Sequence, residues 1–138
     1  MNTLSKAARE WFASSNEDLR GATALHGLGS KEYLRLVPYL CQQAAEKALK
    51  GYLVFRKIKV VKTHDLRTLS DLILPLNPEL DAILKEASQL TPFATQFRYP
   101  DAAKGEPTVE DSEFALRVAK QVFNKMVSLI PFDSSFKF

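Results

Sequence analysis

Cysteine, histidine and tryptophan are scarce in this chain. Cys41 is its single cysteine, Trp11 its single tryptophan, and His26 and His64 its two histidines. One cysteine excludes an internal disulfide and a cysteine-built zinc site, and two histidines leave little for any other metal cage, so no metal or cofactor is expected. Five glycines and seven prolines are too few for a loop-rich sandwich or a low-complexity chain. No stretch approaches the roughly 20 apolar residues of a membrane span, and the opening MNTLSKAAREWFASSNEDLR holds no apolar core of signal-peptide length. These absences describe a soluble protein of a reducing compartment, most simply the cytoplasm, without membrane contact. With 138 residues, 46% of them hydrophobic, the chain has the size and apolar content of one domain with a real core. We expect a single unit over 1–138, its core spanning about 3–130 and a tail at 131–138.

Charge is uneven. Lys47, Lys50, Arg56, Lys57, Lys59, Lys62 and Arg67 place seven cations in 21 residues against Asp65 alone, a local charge of +6, whereas the other 12 cations and 15 anions give −3. One basic quarter on a near-neutral body suits an anionic partner such as phosphate, nucleotide or RNA. A solvated helix end followed by a lysine-rich loop explains the same window without a ligand.

No segment shows a sustained strand alternation, and several show helical spacing. Leu4, Ala7, Trp11, Leu19, Ala22 and Leu25 predict a helix from about Thr3 to His26, stopped by His26-Gly27-Leu28-Gly29-Ser30. Ser30 is a fitting N-cap for a second helix with Leu34, Val37, Cys41, Ala44, Ala45, Ala48 and Tyr52 on one arc. Gln42, Gln43, Glu46, Lys47 and Lys50 fall on the other. Pro38 must kink that helix or delay its start, and its alanines allow another helix to approach closely. Phe55 to Lys62 is too short and isolated for a sheet and reads as a helix end plus loop. Thr63-His64-Asp65 begins a short helix through Leu66, Leu69 and Leu72. Leu80, Ile83, Leu84, Ala87 and Leu90 predict a fourth helix ending near Thr91-Pro92. Residues 91–107 form a long connection rich in proline and aromatics, the kind of loop that often carries function. Thr108 to Asp111 resembles a capping box, opening a last helix through Ala115, Val118, Ala119, Val122, Phe123, Met126 and Ile130. The predicted architecture is all-α: an up-and-down bundle of four main helices plus one short one.

Three groups of residues can carry chemistry. On the polar face of the second helix, Glu46 and Lys50 are spaced i, i+4, as are Gln43 and Lys47. They form either a converging polar site or a solvated face with weak pairing. His64, at the start of the short helix, offers a neutral imidazole for hydrogen bonding or base catalysis, or it merely caps or packs. Phe97-Arg98-Tyr99-Pro100-Asp101 joins a guanidinium fork suited to phosphate with a ring suited to stacking. Arg98 equally suits locking the loop onto Asp101 or Glu46. No glycine-rich phosphate loop, Cys/His nucleophile signature or paired acidic metal motif is present.

Cys41-Gln42-Gln43-Ala44-Ala45-Glu46-Lys47-Ala48-Leu49-Lys50 resembles the signature helix of HEPN domains (higher eukaryotes and prokaryotes nucleotide-binding). Glu17-Asp18-Leu19 with Ala22, Thr63-His64-Asp65-Leu66 and Arg98-Tyr99-Pro100-Asp101 agree in order, so the resemblance spans about residues 7–128. It implies a helical bundle, commonly a homodimer, with a groove for nucleotide or RNA. Many bacterial members pair with a minimal nucleotidyltransferase in toxin–antitoxin systems. Others are metal-independent ribonucleases whose arginine is followed, four to six residues on, by a histidine that assists ribose 2′-hydroxyl attack.

The chain departs from that ribonuclease motif. Arg20 and His26 match the spacing but lie in the first helix, six positions and therefore about 120° apart, far from the motif's late position. Arg56 and His64 are too widely spaced, and no histidine follows Arg98. The leading expectation is therefore a nucleotide- or RNA-phosphate-binding protein working with a nucleotidyltransferase. Lys47, Lys50, His64, Arg98 and Tyr99 would form its surface, supported by Gln43 and Glu46, with no catalytic residue assigned. The alternatives are a ribonuclease using His64 and Arg98, and a purely structural dimerisation or docking module.

Overall fold

The computed structural model describes residues 4–95 and 105–132, and every regular element among them is helical. Ser5 sets the start of α1 (Lys6–Gly27), its Oγ accepting from the Ala8 N–H at 3.1 Å. Gly29, at φ +67°, takes the left-handed turn just beyond the end of that helix. Ser30 caps a 3-10 turn, Lys31–Tyr33, rather than the next helix. Thus α2 (Leu36–Phe55) starts late, with Pro38 as its third residue. A first-turn N–H has no intrahelical acceptor, so the proline costs no hydrogen bond there and delays the helix instead of kinking it.

At the other end of α2, Lys57 N–H donates to Val54 O (3.0 Å) and Ile58 N–H to Leu53 O (2.9 Å). This closure needs a left-handed residue and usually has glycine. Here Lys57 fills it at φ +62°. Asp65 caps α3 (Leu66–Ile73). The predicted fourth helix divides into a 3-10 turn at Pro78–Leu80 and α4 (Asp81–Ser88), and a further single turn, α5 (Pro92–Thr95), occupies the start of the segment read as a long connection. Pro92 thus opens a helical turn instead of ending one, as its fixed φ and missing N–H permit. Thr108 and Asp111 complete a reciprocal capping box, at 3.1 and 2.8 Å, that starts α6 (Val109–Ser128).

The fold is the all-α bundle expected, with α2 at its centre. That helix packs on α1, α3, α5 and α6, while α1 and α4 also touch α6. Burial on several sides explains why Leu49 and Leu53 join Cys41, Ala44, Ala45 and Ala48 in the core, all fully buried. The small residues permit a close α1–α2 approach. Ser15 Oγ donates to Ala44 O at 2.6 Å, and a Cβ on Gly51 would lie 2.8 Å from the Phe12 ring.

The α1 register differs from the sequence reading. Ala8, Phe12 and Ser15 face the core ahead of Leu19 and Ala22; Ala7 is exposed and Trp11 half-buried. Phe12 also meets Phe132 edge-on, ring centroids 5.5 Å apart, so the start of the tail packs. No helix among the described residues is long and apolar enough to cross a membrane.

Candidate functional site

Gln42, Glu46 and Lys50 are spaced by four, so they climb one face of α2 in a line. The sequence places this line on a solvated arc; the structure buries it, with Gln42 at 0%, Glu46 at 3% and Lys50 at 7% exposure. Charged groups are buried only when paired, and this pairing is complete. Glu46 Oε2 accepts from Lys50 Nζ at 2.9 Å. Glu46 Oε1 has His64 Nδ1 at 2.8 Å and Gln42 Nε2 at 3.2 Å. Gln42 Nε2 also reaches His64 O at 3.0 Å, and its own Oε1 accepts from Gln43 Nε2 at 2.7 Å. The Trp11 ring lies 5.5 Å from Lys50 Nζ, a cation–π distance.

The Thr63-His64-Asp65-Leu66 turn is built to hold the histidine. Leu66 is fully buried and anchors the turn in the core, and its N–H donates to Thr91 Oγ1 at 3.1 Å. Thr63 Oγ1 accepts from Asp65 N–H, and Asp65 Oδ1 from Arg67 N–H, both at 3.0 Å. Asp65 is the N-cap, so His64 precedes the helix and does not lie in its first turn. What it faces is the Glu46 carboxylate, while 60% of its side chain remains exposed. An ionised carboxylate only accepts, so Nδ1 carries the proton, and in the neutral ring Nε2 keeps its lone pair. Nε2 has no partner among the described residues.

The remaining predicted residues separate. Lys47 turns toward α1, its Nζ 2.7 Å from Asp18 Oδ2 in a contact that is Coulombic rather than an aligned hydrogen bond. Arg56 donates to Tyr52 Oη at 2.8 Å and lies over that ring. Lys57, Lys59, Lys62 and Arg67 are exposed, with no ion pair among the described residues. The +6 window therefore divides into an internally matched part on α2 and an unmatched part flanking His64. Arg98 and Tyr99 lie outside the described residues. Arg20 and His26 line separate clefts, the former beside Asn16 and Lys120, the latter beside Tyr33 and Val109. No group of three histidine, cysteine or acidic residues among the described residues is placed to hold a metal.

This geometry is a buried carboxylate holding an accessible imidazole, on the helix and turn that carry the Gln-Gln-Ala-Ala-Glu-Lys and Thr-His-Asp-Leu motifs. The HEPN domain profile matches residues 8–130, nearly the whole chain. The chain belongs to the HEPN domain family. Its structure is similar to the crystal structure of an archaeal HEPN homologue, with TM-score 0.71 at 26% identity, covering 91% of this chain and 98% of that one. It is equally similar to the crystal structure of a protein from Thermus thermophilus, with TM-score 0.72 at 25% identity over 94% of this chain and all of that one. No curated protein matches the chain.

Two members of this cluster escaped the sequence reading. Gln42 looked exposed because the apolar arc alone defined the buried side. Trp11 looked like core because a register one residue off fits nearly as well at the start of α1. The i, i+4, i+8 run of Gln42, Glu46 and Lys50 was the available signal for the first.

Proposed function

We propose that this HEPN domain binds the phosphate and ribose of a nucleotide or RNA at His64, working in the cytoplasm with a minimal nucleotidyltransferase in a toxin–antitoxin-like pair. The observation that carries the reading is the exposed imidazole pinned through Nδ1 to buried Glu46. Such a ring presents Nε2 in a fixed direction, to accept from a ribose hydroxyl or, when protonated, to donate to phosphate. Lys62 and Arg67, exposed on either side in sequence, draw an anion toward it. Arg98 would supply the phosphate fork and Tyr99 a stacking face. Lys47 and Lys50 contribute by placing the site, since Asp18 and Glu46 already match their charges. A homodimer would set two such sites on one particle.

Calorimetric titration with AMP and with a short single-stranded RNA tests the proposal. His64→Ala and Arg98→Ala should each weaken binding about 10-fold or more, as loss of a charge-assisted hydrogen bond does. Unchanged affinity in both variants refutes the site. Co-purification with a nucleotidyltransferase expressed from the same operon tests the partner.

The Glu46–His64 pair also favours a second reading, a metal-independent ribonuclease. Nε2 would take the 2′-hydroxyl proton as that oxygen attacks phosphorus and the 5′-oxygen leaves, with Arg98 on the phosphate. RNA cleavage that survives EDTA and vanishes in His64→Ala supports it. Cleavage indifferent to His64→Ala removes His64 from that mechanism.

A further inference from the structure

The single tryptophan sits one step off the core stripe of α1, at the edge of the polar cluster. Its neighbour Phe12 is fully buried, whereas Trp11 is only half-buried. Trp11, Lys50, Glu46 and His64 form one chain of contacts with links of 5.5, 2.9 and 2.8 Å. The indole and the imidazole are thus the two ends of one continuous cluster of side chains. Between them the charges of Lys50 and Glu46 are matched, so nothing there competes for phosphate. A half-buried indole is what the cluster offers at its far end, and stacking on aromatic rings is a general mode of base recognition.

We propose that Trp11 is a base-stacking platform of this site, and that the ligand is a purine nucleotide rather than a sugar phosphate alone. The inference rests on reading the His64 region as a nucleotide site, and adds to the face that Tyr99 would supply a second aromatic residue for the base. Lys50 fixes the indole from within by its cation–π contact, pre-ordering the platform before the ligand arrives. A two-ring indole overlaps a purine more fully than a pyrimidine, which sets the expected preference.

The tryptophan is its own reporter, because no other residue contributes indole fluorescence. AMP should quench or shift the emission of the full-length protein, and ribose 5-phosphate should not. AMP should bind at least about 5-fold more tightly than ribose 5-phosphate, and CMP should fall between them. Trp11→Leu keeps an apolar cover over Lys50 and removes the stacking face; Trp11→Phe restores part of it. In Trp11→Leu, shown to be folded by circular dichroism, AMP affinity should drop about 5- to 100-fold toward that of ribose 5-phosphate, whose own affinity should not change. An unchanged ratio of AMP to ribose 5-phosphate affinity overturns the inference and leaves the phosphate site standing, with Trp11 a mere cover for the ion pair. Failure of both ligands to bind the wild-type protein overturns the underlying reading and this inference with it.

Discussion

Replacing Lys50 by methionine separates a buried working pair from a decorative one. Methionine keeps most of the stem and removes the ammonium, leaving Glu46 Oε2 buried without its 2.9 Å partner. Breaking a buried pair from one side costs about 3–5 kcal/mol, because a charge is left uncompensated. Glu46 retains His64 and Gln42 on its other oxygen, so the lower end, about 3 kcal/mol, is expected. Removing both charges in Glu46→Leu/Lys50→Met should restore stability to about the wild-type level or above, since apolar replacement of a buried pair is often neutral or favourable. Urea unfolding measures this directly. At a slope of about 2 kcal/mol/M, the single variant should lose about 1.5 M in midpoint and the double variant little or nothing. The double variant should nonetheless lose nucleotide binding, because His64 no longer has its anchor. A loss below about 0.5 kcal/mol for Lys50→Met, the value of a surface pair, would refute the claim that this ladder is buried and interdependent.

Four further outcomes test the fold around the site. Gly51→Ala should destabilise by about 1–3 kcal/mol in thermal or urea melts, because its Cβ would meet the Phe12 ring at 2.8 Å. Lys57→Gly should stabilise by about 0.5–1 kcal/mol in the same melts, relieving a left-handed residue at an exposed helix end. Burial pushes the Cys41 thiol up from about 9.0 to about 12, against the opposite pull of Lys120. Native protein should therefore resist a disulfide reagent at about pH 8 until it unfolds. Because the unfolded thiol loses its proton first, this group's contribution is complete below about pH 9 and declines above it, so urea midpoints should fall as pH rises past about 9.

The helices were legible because their apolar stripes and caps are local. Thr108 with Asp111, Asp65 and the Gly29 stop each announce a boundary through a side chain or a φ requirement. The site was legible by motif and misread by environment. Glu46 and Lys50 at i, i+4 look the same in sequence whether they face water or the interior; only the packing of α1 and α3 against α2 decides, and that is tertiary information. The Glu46–His64 contact joins residues 18 apart across a loop, and no helical period connects them. The place expected for Lys47 in the binding surface could not anticipate its pairing with Asp18 of α1. Pro38 gave a true alternative, kink or delay, and its place in the first turn of α2 resolved it.

The central claim is that buried Glu46 fixes His64 with Nδ1 protonated and Nε2 facing the ligand. Nitrogen-15 chemical shifts of the His64 ring, recorded in the neutral form with and without AMP, test it most directly. The account predicts a protonated Nδ1 and a lone-pair Nε2 in the free protein, loss of that fixed tautomer in Glu46→Leu/Lys50→Met, and a shift of Nε2 when AMP is added. A ring with its proton on Nε2, or one whose Nε2 signal ignores saturating AMP, would contradict it.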